Sequence, residues 1–217
     1  MTDPDHQLRV PIIADTGRYV VVDKPSGLLS APGKDLSQPD CVRARVRAMY
    51  PGAAGPMTVH RLDMDTSGLL LVALDAEAHR ALSMLLERRR VRKAYIAILD
   101  GDVPDDEGEI DLPLAKDWTS RPLMKVDFEA GRPSVTRYRV LARAGGQTRV
   151  ELAPVTGRSH QLRVHAADPR GLGAPILGDR LYGDPSLADR LLLHASRLAF
   201  TDPLTGEEVL YESPAPF

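Results

Sequence analysis

Short apolar runs separated by turn sequences dominate the hydrophobic pattern of this chain. Residues 19–22, 69–74, 94–99 and 191–200 are rich in β-branched, aromatic or leucine side chains. Such runs, bounded by turn residues, are typical of strands, and an unbroken apolar run such as 69–74 indicates a strand that is buried on both faces. The pattern therefore predicts a strand at each of these places.

Helical spacing is clearest after Asp75, which can cap a helix through its carboxylate. Apolar side chains recur there on one stripe, at Ala78, Ala81, Leu82, Leu85 and Leu86. This i, i+3, i+4, i+7 spacing predicts an amphipathic helix that packs one face against a core. A second helix is predicted within residues 40–49, and a short third helix near Ser159.

Two alternating runs, 135–141 and 149–155, flank Gly145-Gly146 and predict a β-hairpin. Residues 101–132 hold many turn and acidic residues, and we expect a long excursion with one short strand inside it. Strands outnumber helices and several are linked by hairpins. The sequence therefore predicts an α+β fold built on a central, mixed but mostly antiparallel sheet, with flanking helices and loops.

The length of 217 residues supports one sizeable domain. We expect a single domain over residues 1–217, with residues 1–9 flexible and no separate N-terminal domain. The chain contains neither a G-x-G-x-x-G nor a G-x-x-x-x-G-K-[ST] sequence. Folds that bind nucleotide cofactors therefore lose their main support.

Cellular location can be predicted from what the composition excludes. No run of about 18 apolar residues is present, and the polar N-terminus lacks the apolar core of a secretory signal. Cys41 is the lone cysteine, which excludes an internal disulfide and a multi-cysteine zinc site, and we expect it to be a small buried side chain. These features predict a soluble protein with no membrane contact, in the cytoplasm.

The net charge of −2 does not by itself indicate a nucleic-acid partner. The basic residues are nevertheless clustered, at Arg43, Arg45 and Arg47 and again at Arg88, Arg89, Arg90, Arg92 and Lys93. The acids gather elsewhere, notably within residues 100–111. Such segregation fits either a phosphate-binding face or ordinary solvated helix ends, and charge alone does not choose between them.

The densest polar cluster between apolar segments is residues 60–68, His-Arg-Leu-Asp-Met-Asp-Thr-Ser-Gly. Asp63, beside an arginine and a histidine, can act as a nucleophile, a general base or a cation ligand. The same residues also suit a turn whose side chains cap backbone amides. Asp63 and Asp65 form an Asp-x-Asp pair that is compatible with a metal-dependent transferase, although no third ligand is obvious.

A second polar cluster covers residues 156–165, Thr-Gly-Arg-Ser-His-Gln-Leu-Arg-Val-His. If it is helical from Ser159, Gln161 and His165 share one face, whereas His160 and Arg163 lie on another. The histidine spacing does not match the H-E-x-x-H pattern of zinc enzymes. We therefore assign no metal site and no chemical role to a histidine.

The chain resembles the RluA family of pseudouridine synthases over residues 19–207. The resemblance rests on separated motifs in the right order: 22–28 (Val-Asp-Lys-Pro-Ser-Gly-Leu), 60–68, 93–95 (Lys-Ala-Tyr), 157–165, 177–183 (Leu-Gly-Asp-Arg-Leu-Tyr-Gly) and 191–195 (Leu-Leu-Leu-His-Ala). Residues 111–122 are similar to the short members that modify both 23S ribosomal RNA and transfer RNA. The resemblance implies the pseudouridine synthase fold and an isomerase that flips and rotates a uracil. It also implies RNA as the partner, with no obligate protein partner evident. The short members lack the separate N-terminal RNA-binding domain of longer relatives, and we expect none here.

The resemblance also implies roles for individual residues. Asp63 matches the family's catalytic aspartate, which attacks the target nucleotide or abstracts a sugar proton. Arg163 matches the arginine that pairs with this carboxylate, and Tyr95 matches a tyrosine that packs against the flipped base. The reaction adds no atom and changes no oxidation state, so no cofactor and no metal are expected.

Three more residues are expected to contact RNA. Arg61 matches a residue that fills the gap left by the flipped uridine, a use that offsets part of the cost of unstacking. His60 and Arg158 flank these motifs and are expected to contact RNA on position alone. Asp65 departs from relatives that carry alanine there, and we expect it to be dispensable.

Overall fold

The computed structural model describes residues 9–33 and 40–217. The prediction that residues 1–9 are flexible falls, apart from Arg9, outside the described residues. Clustering of contacts divides the chain into two compact units. The first holds the described residues up to Arg92 together with Ala195–Pro216, and the second holds Lys93–His194 and Phe217.

Eleven strands and three α-helices are present in the described part of the chain. In chain order they are β1 (Ile12–Asp15), β2 (Tyr19–Lys24), α1 (Val42–Met49), β3 (Ser67–Ala73), α2 (Ala76–Glu87), β4 (Arg92–Asp100), β5 (Glu107–Asp111), β6 (Leu114–Lys116), β7 (Met124–Val126), β8 (Val135–Ala144), β9 (Gln147–Pro154), α3 (Gln161–Ala167), β10 (Leu193–Thr201) and β11 (Glu208–Glu212).

The strands of the first unit follow the order β1-β2-β3-β10, and β11 pairs with β10. The pairs β1–β2, β2–β3 and β10–β11 are antiparallel. Tyr19, Leu71, Leu82 and Phe200 pack together in its core, so the apolar stripe of α2 covers the same core as β2 and β3. The buried Tyr19 hydroxyl donates a hydrogen bond to Asp202 at 2.6 Å, which satisfies the one polar atom of that ring.

The two helices of the first unit lie where the sequence predicts them. The Asp75 carboxylate accepts hydrogen bonds from the backbone amides of Glu77 and Ala78, as expected for the cap of α2. Cys41 is fully buried, as predicted, and its Sγ also accepts from the Ala44 amide at 3.4 Å at the start of α1. Both predicted helices are therefore confirmed.

The strands of the second unit follow the order β4-β9-β8-β5, and β6 pairs with β7 in a separate two-stranded sheet. All these pairs are antiparallel. Gly145 and Gly146 have positive φ angles of 60° and 74° and form the turn between β8 and β9, as the predicted hairpin requires. The predicted α+β class with a mostly antiparallel sheet is confirmed.

The prediction for residues 101–132 was wrong in detail, because this segment contains three strands rather than one. β6 and β7 have three residues each. Runs this short show no clear alternation of apolar and polar residues. The β6–β7 hairpin therefore could not be distinguished in the sequence from the turns around it.

In residues 9–33 and 40–217, no helix has both the length and the apolar character that crossing a membrane requires.

Gly68, at the start of β3, is required by the backbone around it. Its φ angle is +108°, and a Cβ atom built there would lie 2.3 Å from the carbonyl oxygen of Ala195. Gly206 has a similar φ of +80°, but no atom lies within 4 Å of its built Cβ. A side chain at Gly206 would therefore introduce backbone strain alone, whereas a side chain at Gly68 would introduce both strain and a steric clash.

We expect Gly68→Ala to lower the free energy of unfolding by at least about 3 kcal/mol, because a clash with backbone adds to left-handed strain. Gly206→Ala should cost only about 1–2 kcal/mol, since strain acts there alone. Urea unfolding monitored by circular dichroism measures both values. Equal losses in the two variants would contradict the steric argument.

Candidate active site

The Asp63 loop, residues 60–66, leads directly into β3 and is held by the segment that follows β2. The amide of Gly27 donates to the Met64 carbonyl at 2.9 Å, and the Ser26 hydroxyl donates to the Asp65 carbonyl at 2.7 Å. Within the loop, the Thr66 amide donates to the Asp63 carbonyl at 3.2 Å. Backbone atoms on both sides of Asp63 are thus fixed while its side chain stays half-buried.

Lys24 supplies the strongest of these restraints. Its side chain is fully buried, and its Nζ donates to the carbonyl oxygens of Pro25 (2.9 Å), Leu28 (2.7 Å) and Met64 (2.8 Å). Three acceptors require three N–H groups, which only the protonated ammonium has. The carbonyl dipoles stabilise the ammonium charge, and the same hydrogen bonds link the segment after β2 to the Asp63 loop.

Two further contacts hold the beginning of the loop. The Ser30 hydroxyl donates to the Leu62 carbonyl at 2.7 Å and lies 3.0 Å from the Leu62 amide, which donates back to it. The Nε2 atom of His60 accepts a hydrogen bond from the Leu71 amide at 3.0 Å. The ring of His60 is therefore part of the anchorage of the loop, a role that its sequence did not reveal.

Arg61 is exposed to solvent, and Asp65 is half-buried like Asp63. In the part of the chain that the structure describes, no group of three or more His, Cys, Asp or Glu side chains is arranged to hold a metal ion. The Asp63-x-Asp65 pair consequently finds no third ligand of these types among the described residues.

Arg163, on α3 of the second unit, is only 2% exposed and is bound by Asp179. Its Nε donates to Oδ2 at 2.8 Å and its Nη2 to Oδ1 at 2.5 Å, a bidentate geometry that fixes the guanidinium plane. Asp179 is fully buried and also accepts from the amides of Leu181 and Tyr182. The predicted pairing of Arg163 with Asp63 stays a prediction.

Asp179 is the residue that sequence reasoning missed. It stands in the 177–183 motif, which was noted without a role, and it lies 16 positions from its partner Arg163. The available signal was an aspartate among leucine and glycine residues in a loop with no helical or strand period. A charge in such a setting needs a partner, but the sequence does not say which one.

Tyr182 links Arg163 to neighbouring elements of the second unit. The guanidinium carbon of Arg163 lies 5.3 Å from the centre of the Tyr182 ring. The Tyr182 hydroxyl accepts from the Met124 amide of β7 at 2.8 Å and lies 2.7 Å from Nδ1 of His160. Arg163 is thus held by an ion pair and by contact with an aromatic ring whose hydroxyl is fixed by two hydrogen bonds.

α3 is nearly completely buried, so the side chains on both of its predicted faces make contacts within the protein. Gln161 and His165 share one face as expected, because each bonds the hydroxyl of Thr136 at 3.0 Å. The Gln161 carbonyl accepts from the Thr156 hydroxyl and the Arg158 amide. Burial lowers the pKa of His165, which favours the neutral ring.

Tyr95 and Arg158 complete the predicted site residues. Tyr95 lies on β4 opposite Leu152 of β9 and is 9% exposed. Arg158 is half-buried, and its Nε donates to the Pro133 carbonyl at 3.4 Å. Lys93 stands two residues before Tyr95 on the same strand face, and burial lowers its pKa. Asp63, Arg61 and His60 thus belong to the first unit, whereas Tyr95, Arg158 and Arg163 belong to the second.

Comparison with known proteins identifies the family. Residues 18–168 match the family model described as RNA pseudouridylate synthase. The chain is 45% identical over 220 residues to the dual-specificity RNA pseudouridine synthase RluA of Pasteurella multocida, an alignment covering 100% of this chain and 96% of that protein. It is 44% identical over 219 residues to RluA of Escherichia coli strain K12, covering 99% and 97%.

Solved structures agree with this result. Human RNA pseudouridylate synthase domain containing 1 is 29% identical and superposes with a TM-score of 0.80, covering 100% of this chain and 87% of that one. The chain therefore belongs to the RNA pseudouridylate synthase family, as an RluA-type member. It is accordingly an isomerase that converts uridine in RNA into pseudouridine.

Asp179→Asn should destabilise the protein and reduce catalysis, because it removes the carboxylate charge that binds the buried Arg163 guanidinium in a bidentate way. Removing one partner of a buried ion pair costs about 3–5 kcal/mol. Urea unfolding and the rate of pseudouridine formation measure the two effects. Asp106→Asn is the matched control: Asp106 is exposed and pairs at 2.8 Å with Arg143, so little change is expected. Similar losses in both variants would refute the importance of burial.

Proposed function

We propose that this enzyme isomerises uridines in loops of both ribosomal and transfer RNA, through one catalytic domain spanning residues 1–217 that uses Asp63 as its catalytic carboxylate. The observation that carries the proposal is the anchorage of the Asp63 loop, in which Lys24 and Ser26 hold the backbone beside a half-buried carboxylate. The dual substrate range follows the two relatives described above, which are dual-specificity enzymes and align over nearly their whole length. A cytoplasmic location goes with these substrates.

The reaction breaks the bond between C1′ and N1, rotates the uracil and joins C1′ to C5. C5 loses its proton to solvent and N1 takes up a proton, so atoms and electrons balance and neither an oxidant nor a co-substrate is needed. Asp63 either attacks C1′ or removes a proton from the sugar. Both routes need an ionised carboxylate held in a fixed place, which the loop provides.

Arg163 is proposed to orient Asp63. Its bidentate hydrogen bonds to Asp179 support this role, because a guanidinium held in one plane needs little further ordering when it binds a second anion. Tyr95 is proposed to pack against the flipped uracil and to assist removal of the C5 proton. Its ring is almost fully buried, as a wall of a base pocket should be.

Three residues are proposed to contact the RNA backbone or the vacated stack. Arg61 is exposed on an anchored loop, so it can enter the gap that the uridine leaves. For His60, the bond from the Leu71 amide supports a positioning role beside any RNA contact. Arg158 is proposed to bind phosphate on the second unit.

We expect Asp63→Asn to fold normally but to release no tritium from RNA labelled at uridine C5, because the amide can neither attack nor act as a base. The matched control is Asp65→Asn, which changes the other half-buried acid of the same loop and should retain near wild-type release. Wild-type release should also survive EDTA, whereas a metal-dependent transferase would lose activity. Unchanged release from the Asp63 variant would remove that residue from the mechanism.

Arg61→Ala should raise KM, and should lower kcat if base flipping limits the rate, since unstacking costs a few kcal/mol that the side chain helps to offset. Arg80→Ala, on α2, removes one exposed positive charge of the same unit and serves as the control. Steady-state tritium release from both variants separates a local effect from loss of general charge. If Arg61→Ala and Arg80→Ala behave alike, the wedge role is wrong.

A further inference from the structure

The loop between β6 and β7 presents an unusual side chain to solvent. Trp118 is 67% exposed, and it is the single tryptophan of the chain. The Nζ atom of Lys116 lies 5.5 Å from the centre of its ring, and the guanidinium carbon of Arg121 lies 4.5 Å from it. Over the described residues, neither cation forms an ion pair with a carboxylate. The nearby Asp117 accepts instead from the amide and hydroxyl of Thr119.

A pocket of about 480 Å³ lies beside this loop, within the range of small-molecule sites. Leu114 and Met124 contribute apolar surface, and Lys116, Arg132 and Arg158 contribute positive charge. Among the described residues that line it, none is an aspartate or glutamate. The pocket therefore suits a ligand that has both a flat apolar face and a negative charge.

The pocket is built on a fixed part of the second unit. One wall is formed by residues 157–159, which lead into α3 and Arg163. Met124 also lines the pocket, and its amide donates to the hydroxyl of Tyr182, whose ring contacts Arg163. A ligand held here would consequently lie at a constant position relative to Arg163.

A nucleotide has the required chemistry, because its base is flat and its phosphate is negative. Base stacking on an aromatic side chain contributes about 1–3 kcal/mol. An exposed cation–π contact contributes only about 0.5–1 kcal/mol. A base can therefore replace Arg121 on the ring, and the released guanidinium can then bind the phosphate.

We propose that the β6–β7 loop and its pocket bind an unpaired nucleotide of the RNA substrate other than the target uridine, with its base stacked on Trp118 and its phosphate bound by Lys116 and Arg121. The inference rests on the proposed function, since it takes the ligand to be the RNA that carries the target. An unpaired nucleotide is required because a base inside a duplex has no free face to offer.

Phe128 provides an internal comparison. It is 65% exposed, and the guanidinium carbon of Arg170 lies 5.4 Å from its ring centre. Arg170, however, is bound by both carboxylate oxygens of Asp168, at 2.9 and 2.8 Å. An exposed aromatic side chain beside a neutralised cation should not attract RNA, so Phe128→Ala is the matched control for Trp118→Ala.

Because Trp118 is the single tryptophan, its emission reports directly on this site. Full-length protein carrying Asp63→Asn, which blocks turnover, is titrated with an unmodified transfer RNA transcript labelled with fluorescein. We expect tryptophan emission to be quenched over the same concentration range in which fluorescein anisotropy rises. A blunt RNA duplex of the same length should bind without this quenching.

Trp118→Ala should weaken binding of the transcript about 5- to 150-fold, which corresponds to the loss of one stacked base. Trp118→Phe should restore most of the affinity, and Phe128→Ala should leave it unchanged. Unaltered emission on RNA binding, or equal affinity of Trp118→Ala and its parent, would overturn the inference. Tritium release by the protein with Asp63 intact tests the proposed function separately. If no tritium is released while binding still depends on Trp118, the proposed function is wrong and the inferred RNA site is retained.

Discussion

The position of Asp63 depends on a positive charge that has no contact with water. The 60–66 loop has no helix or strand of its own, and the fully buried ammonium of Lys24 joins its Met64 carbonyl to the turn after β2. An isolated buried ammonium would be very costly, so the three carbonyl oxygens around it are necessary partners. The Lys24 ammonium therefore fixes the Asp63 loop relative to the turn after β2. If either segment moved, the buried charge would lose hydrogen bonds.

Arg163 shows a second solution to the same physical problem. Lys24 donates to three backbone carbonyl oxygens, whereas Arg163 donates to both carboxylate oxygens of Asp179. The planar guanidinium gains a fixed orientation that an ammonium cannot have. An isomerisation gains rate from charges that are placed where the transition state needs them. Under the proposed roles of Asp63 and Arg163, rigid support for these groups would therefore contribute directly to catalysis.

Much of this architecture was predictable because it is local. An unbroken apolar run, helical spacing and alternation predicted β3, α2 and the Gly145-Gly146 hairpin, respectively. The motif at residues 60–68 indicated Asp63 as the candidate catalytic residue through resemblance to a family. The β6–β7 hairpin was missed because strands of three residues have no measurable period. The role of Asp179 was missed for a different reason: the ion pair joins a helix to a glycine-rich loop, and pairing between such segments is decided only by tertiary structure.

The β6–β7 loop bears on the proposal that one enzyme acts on two classes of RNA. Hydrogen bonds to base edges discriminate between sequences, whereas stacking on an aromatic ring accepts any base and phosphate contacts carry no sequence information. The proposed site at Trp118, with Lys116 and Arg121, offers stacking and charge, so it would hold loops of different sequence provided that each presents an unpaired nucleotide. Selection by loop shape would then account for the proposed dual substrate range without requiring a shared sequence around the uridine.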